Sequence, residues 1–228
     1  MILLGKTCVR DTALSKRVTL SATDRFIVAL ADGMGGYQHG EEASENVLRW
    51  LSDFFYSLPK GLSIKKLTRQ FKGWVQKAHK KLLTESSLKH YRHSMGTTLV
   101  GLIFYEKKVL WINCGDSRVY RLRGQYLSQL STDHSLRQMV GHRDVPANIV
   151  LNSIGAGESV FLDMEDITEA IHEEDAFLLC SDGLTDILED TEIEIILTEA
   201  SVEDLVNLAI ESGAEDDVSV ALVKILNL

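Results

Sequence analysis

FIVALADGMGG (residues 26–36) sets six apolar residues directly against an aspartate and a glycine-rich turn. A continuous apolar run of this length predicts a buried strand. Three glycines then force a tight, irregular turn, and Asp32 is left at the strand's end. The same design recurs. KVLWINC (108–114) runs into Gly115-Asp116, and AFLLC (176–180) into Ser181-Asp182-Gly183. The last apolar run, VSVALVKIL (218–226), is introduced by Gly213 through Asp216-Asp217.

An aspartate at a strand end is commonly a turn residue that bonds its own backbone. Four such loops say more than one. If their strands lie side by side, four or five carboxylates converge on one rim and repel one another without a cation. Hard oxygen donors select Mg²⁺, Mn²⁺ or Ca²⁺ over zinc or copper. No histidine stands in the four loops. A set of carboxylates can hold two metals ~3.5–4 Å apart, an arrangement that activates water for phosphoryl hydrolysis.

Between these loops the periodicity changes. Ala43, Val47, Leu48, Leu51, Phe54, Phe55 and Leu58 follow helical spacing over residues 40–58, with Glu41 and Glu42 expected in the first turn, where they suit the helix dipole. A second amphipathic helix is expected over 63–86. Strands are expected at 97–105, 108–114, 118–123 and 126–130, joined by short breaks. Residues 134–157 read as a short helix and an irregular stretch, a candidate flap. Acidic helices are expected near 190–199 and 202–212. Strand meanders with segregated helices make this an α+β domain.

At 228 residues the chain fits one sizeable domain, and 45% hydrophobic and 25% charged residues are ordinary globular composition. No apolar run approaches the ~18 residues that span a bilayer, so a cytoplasmic protein is expected. Three widely spaced cysteines, Cys8, Cys114 and Cys180, suit neither a disulfide framework nor a zinc knuckle. The net charge of −9 is unevenly placed. Residues 158–217 hold 21 acids and no lysine or arginine, whereas residues 60–92 hold ten Lys/Arg and one acid, Glu85. The basic stretch lacks the aromatic stacking platform of a nucleic-acid binder.

Taken in order, ADGMGG (31–36) with GEEAS (40–44), MGTT (95–98), NCGDSRVY (113–120), DHS (133–135), LCSDGLTDIL (179–188) and GAEDDVSVAL (213–222) resemble the metal-dependent PPM, or type 2C, protein phosphatases, in their bacterial branch. The resemblance covers the chain from about residue 26 to the end. It implies a four-layer αββα sandwich, with two central antiparallel sheets flanked by helices and the metals at one end of the sheets. It implies hydrolysis of phosphoserine and phosphothreonine on proteins, with two Mn²⁺ or Mg²⁺ ions and a third site. By the same resemblance Asp32 would bridge the two metals, the Gly33 carbonyl would contact one, Asp182 and Asp216 would complete the first metal's shell, Asp217 would stand where many relatives carry Asn, and Asp116 would serve the third site. The implied partners are phosphoproteins, including a cognate Ser/Thr kinase or its substrates. One domain spans 1–228, and a monomer is expected.

One departure stands out. The family opens with an arginine that holds phosphate, followed by an Asn-Glu-Asp or Asn-Gln-Asp block. Val9-Arg10 fits the arginine, but Leu14-Ser15-Lys16 stands where the acids belong. In family register Lys16 lies beside the second metal; if the strand slips in register, Lys16 points to solvent and Asp11 substitutes for the missing acid. The departure also motivates a second expectation, a weakened enzyme that serves as a regulatory binding module.

Overall fold

The apolar run of residues 26–31 becomes a strand whose two faces enter two different cores. The structure, a computed structural model, describes residues 1–10, 12–34, 37–89, 95–141 and 149–227. In chain order the first elements are β1 (Ile2–Leu4), β2 (Thr7–Val9), β3 (Arg25–Leu30), β4 (Gly33–Met34), α1 (Tyr37–Ser57) and α2 (Ile64–Leu88). Next come β5 (Gly96–Thr97), β6 (Leu99–Tyr105), β7 (Lys108–Cys114), β8 (Arg118–Arg123), β9 (Tyr126–Gln129), α3 (Leu136–Val140) and β10 (Asp163–Asp166). The chain ends with β11 (Ala176–Cys180), α4 (Asp182–Thr185), α5 (Asp190–Glu199), α6 (Val202–Glu211) and β12 (Val220–Lys224).

A six-stranded sheet has the order β10-β7-β6-β3-β1-β2, and a four-stranded sheet the order β12-β11-β8-β9. Every pairing is antiparallel. Because side chains alternate along a strand, Ile27 and Ala29 of β3 pack with Leu51, Phe55 and Phe71 of the first two helices. Val28 and Leu30 turn the other way and meet Phe177 and Leu179 of β11. Leu178 and Cys180 face outward again, onto Ile193 of α5 and Leu205 of α6. Three cores between four layers follow, the αββα sandwich that the resemblance implies. Each fully buried leucine or phenylalanine contributes roughly 1.5–3 kcal/mol over exposure. An exposed ion pair such as Arg49–Glu45 contributes about 0–1 kcal/mol, so burial sets the layers.

Several boundaries differ from the sequence reading, each for a local reason. The first helix starts at Tyr37, so Glu41 and Glu42 lie beyond its first turn; they pair with Arg10 and Lys89 instead of capping. Ser63 caps α2, accepting the Lys66 N–H at 3.4 Å. The run 97–105 breaks at Thr98, whose N–H donates to the Asp32 carbonyl at 2.8 Å. Thus β5 leaves the large sheet to pair with β4. A β1–β2 hairpin turns through Gly5 at φ +63°. Residues 12–20 are exposed and form no regular element. Of the expected flap, Ser135 caps α3 and Gly141 ends it at φ +70°. Residues 142–148 lie outside the described ones. No helix among the described residues is long and apolar enough to cross a membrane.

Candidate metal centre

Asp32 follows β3 and is pinned through its backbone. Its carbonyl accepts the Thr98 N–H and the Thr97 hydroxyl, both at 2.8 Å, and its own N–H donates to Thr98 Oγ1 at 3.1 Å. Thr98 Oγ1 lies 2.7 Å from Ser117 Oγ, so the threonine pair also ties this loop to the one that carries Asp116. Gly33 comes next. A Cβ there would sit 2.0 Å from the Gly40 carbonyl oxygen, so only glycine lets the chain pass α1.

The Asp116 loop leaves β7 through Gly115, at φ +126°. Its N–H donates to His134 Nδ1 at 3.1 Å, and the His134 N–H donates to the Gly115 carbonyl at 2.9 Å. Asn152 Nδ2 donates to the same ring nitrogen at 2.7 Å. With Nδ1 accepting, Nε2–H is left to donate to Asp163 Oδ2 at 3.0 Å.

The third loop carries Asp182 at the start of α4, behind β11. Ser181 Oγ donates to the Asp217 carbonyl and accepts the Ser219 N–H, both at 3.0 Å. A Cβ on Gly183 would lie 2.6 Å from the Asp217 carbonyl oxygen. The absent side chain is what lets the Asp216-Asp217 loop close on Asp182.

The carboxylates feel one another. Burial first, then Asp182 and Asp216, push the Asp32 carboxyl well above the usual range; Asp182 is near enough to share a proton with it. Burial and Asp182 also push Asp116 up to about 7 and raise Asp186. Asp182 is the common neighbour, and its Oδ1 is buried with no hydrogen-bond partner. Among the described residues, no three His, Cys, Asp or Glu side chains form a closed ligand set. Asp32 and Asp182 make a pair, with Asp116 and Asp216 within electrostatic reach, and mutual repulsion favours that spacing. An orphaned carboxylate oxygen among oxygen-only donors fits a hard divalent cation.

The sequence pattern of the family described as "Protein phosphatase 2C" matches residues 10–227. The chain belongs to the protein phosphatase 2C family. It is 32% identical over 213 residues to "Serine/threonine phosphatase stp" of Listeria monocytogenes serotype 4b, which covers 87% of this chain and 84% of the relative. The crystal structure of the serine/threonine phosphatase Stp1 from Staphylococcus aureus superposes with a TM-score of 0.79 at 26% identity, over 100% of this chain and 94% of that one. The catalytic domain of PstP, crystallised with two manganese ions, gives 0.72 at 25% identity over 100% and 97%.

Against this type 2C frame, the remaining expected residues fall as follows. Arg10, at the end of the hairpin, forms an ion pair with Glu41 of α1. Asp216 and Asp217 are both exposed; Asp216 Oδ1 accepts the Asp217 N–H at 2.7 Å. Lys16 is exposed in the irregular segment, and Asp11 lies outside the described residues. Sequence reasoning gave no role to Thr97, Thr98, Ser117 or Asn152. Their signal was available in MGTT and GDS, where small hydroxyl residues flank a metal-type loop. His134 orders the loop after β7 through its two bonds to Gly115.

Proposed function

We propose that this chain is a metal-dependent phosphatase for phosphoserine and phosphothreonine on proteins, with residues 1–228 forming one domain. The observation that carries the reading is the buried, unpartnered Asp182 Oδ1 beside the raised Asp32 carboxyl. That arrangement is costly unless a cation is intended there. Asp32, Asp182, Asp216 and the Gly33 carbonyl are the residues that hold it, with Asp217 at the edge of the set and Asp116 serving a further site. Mn²⁺ or Mg²⁺, two ions with a third, would supply charge neutralisation for the phosphoryl group and a more acidic water if bound there.

The chain's own residues do the rest. The threonine pair and His134 fix the loops, so the carboxylates need little reorganisation. Arg10, held at the rim by Glu41, offers a planar fork that matches two phosphoryl oxygens. Within the segment expected as a flap, exposed α3 with Met139 and Val140 is the part open to bound phosphoprotein, since His134, Asn152 and Ile154 are buried. Phosphoproteins, a cognate Ser/Thr kinase or its substrates among them, are the partners. The setting is cytoplasmic and the chain a monomer.

Hydrolysis of p-nitrophenyl phosphate with and without Mn²⁺ tests the reading. Wild-type turnover is expected only with metal, and Asp182→Asn is expected to abolish it while leaving the thermal unfolding curve in place. Removing one charge from a like-charge group does not destabilise it. Near-wild-type turnover by Asp182→Asn at saturating Mn²⁺ overturns the assignment. A second reading, a weakened enzyme acting as a regulatory module, is favoured by one observation: residues 12–20 are exposed and irregular and carry no acid. Wild-type protein that binds phosphopeptide but shows no metal-dependent turnover establishes that reading instead.

A further inference from the structure

Between α1 and α2 the surface opens into a groove of about 260 Å³, lined by Trp50, Asp53, Phe54, Trp74, Lys77, Ala78 and Lys81. Phe54 and Trp74 stack at 5.6 Å with their planes 19° apart. Lys81 Nζ sits 3.7 Å from the centroid of the Trp50 ring. Trp50 and Phe54 stand one turn apart on α1, at the edge of the stripe whose Leu51 and Phe55 fill the core. They remain half-buried. A half-open aromatic floor with a charged rim is the composition of interface anchors, which concentrate in Trp, Tyr and Arg.

The charge around it is one-sided. The α2 helix carries seven Lys/Arg and a single acid, Glu85. Lys77 and Lys81, four residues apart, lie on the same ridge of the groove. Asp53 stands on the α1 side, leaving the α2 edge positive. A volume of this size is below the range of drug-sized sites, roughly 300–1,000 Å³, and suits one large side chain.

We propose that this groove docks an acidic segment of a partner protein, seated by one aromatic or large aliphatic side chain, with Lys77 and Lys81 meeting its carboxylates. The inference concerns recruitment and stands independently of the hydrolytic reading. None of the residues that line it belongs to the candidate metal centre.

Tryptophan fluorescence tests it. Of the three tryptophans, Trp111 is buried between the sheets, so Trp50 and Trp74 report on the groove. The probe is a short synthetic peptide of alternating glutamate and aspartate with one central phenylalanine. Wild type is expected to show saturable quenching that weakens with added salt. Lys77→Glu/Lys81→Glu is expected to bind about tenfold more weakly or worse, because reversing rim charges turns attraction into repulsion. A peptide with alanine in place of the phenylalanine is expected to lose affinity to a similar degree. Thermal unfolding of the double variant should fall only slightly below wild type, since both lysines are exposed and the Lys81 contact with the Trp50 ring is lost. Equal binding by wild type and the double variant overturns the proposal, as does equal binding of the phenylalanine and alanine peptides. Self-association in sedimentation that the double variant abolishes, without peptide binding, also overturns it and makes the occupant the acidic face of a second copy.

Discussion

His134 Nδ1 accepts the backbone N–H of Gly115 at 3.1 Å across 19 residues, so an imidazole behind the metal end fixes the loop that carries Asp116. The glycine needs that help. Its φ of +126° is open to few side chains, and Thr98 already occupies the space where a Cβ would go.

The first prediction follows from this contact. His134→Phe keeps a ring against Phe161, 4.4 Å away between centroids, but removes the acceptor. It leaves the buried Gly115 N–H unsatisfied, a loss of roughly 1–3 kcal/mol, while Asn152 Nδ2 keeps the Phe161 carbonyl at 3.0 Å. Urea unfolding should show that destabilisation, together with weaker metal binding at Asp116 by calorimetry. A His134→Phe variant as stable as wild type means that ring packing, not the hydrogen bond, holds the loop.

A second prediction concerns Gly183. Alanine there meets the Asp217 carbonyl at 2.6 Å and the Asp216 carbonyl at 3.2 Å, both backbone atoms that cannot rotate aside. The loop must retreat from Asp182, and the cost of such overpacking is about 1–3 kcal/mol. Gly183→Ala should raise the Mn²⁺ concentration needed for half-maximal turnover while keeping all the expected ligands in place. An unchanged metal dependence would mean that Asp216 contributes nothing to the site.

Much of this was legible because both periodicities were clean. β3 reads as uninterrupted apolar sequence since Val28 and Leu30 face one core and Ile27 and Ala29 another. The aspartates were legible as a set because each follows such a strand beside a glycine. What escaped was structure decided by pairing rather than composition. β10 is Asp-Met-Glu-Asp, an edge strand bonded only to β7, and nothing in its composition favours a strand. The roles of Thr97 and Thr98 depend on where Asp32's carbonyl lies across the sheet, 65 residues away in sequence for the Thr97 bond.

A third prediction addresses acid stability. Asp175 is fully buried and accepts bonds from Arg123 Nε at 2.7 Å and Nη2 at 2.8 Å and from the His172 N–H at 2.8 Å. Burial alone would raise its carboxyl, but the Arg123 and His172 bonds outweigh that and hold it below 3.8. A depressed folded value means the unfolded chain takes up the proton first. The stabilisation is therefore complete above about pH 4 and is lost as pH falls through the lowered folded value. Asp175→Asn should lose roughly 1.5–3 kcal/mol at neutral pH and show a shallower decline as pH falls below about 4. A decline of wild-type steepness in the variant excludes Asp175 as its source.

The last prediction concerns Lys16, which the family resemblance sets where an acid belongs. In family register its ammonium would lie beside the second cation. At an effective dielectric of ~20, unit charges ~5 Å apart interact by roughly 3 kcal/mol, and a divalent ion doubles that. Lys16→Asp would then tighten Mn²⁺ by far more than tenfold, since ~1.4 kcal/mol suffices for one decade. The structure instead leaves residues 12–20 exposed and without regular pairing. An exposed charge on an unpaired segment acts through water, where the dielectric is high and salt screens it. Lys16→Asp should therefore change the Mn²⁺ titration less than about twofold, within the small range left by screening. Glu41→Gln, which removes the carboxylate that pairs with Arg10, should move the KM for p-nitrophenyl phosphate rather than the metal dependence. A large tightening in Lys16→Asp would place the segment in family register. The ion pair of Arg10 with Glu41 of α1 would then be the arrangement to revise, because Arg10 lies on the N-terminal segment that would have to shift with Lys16.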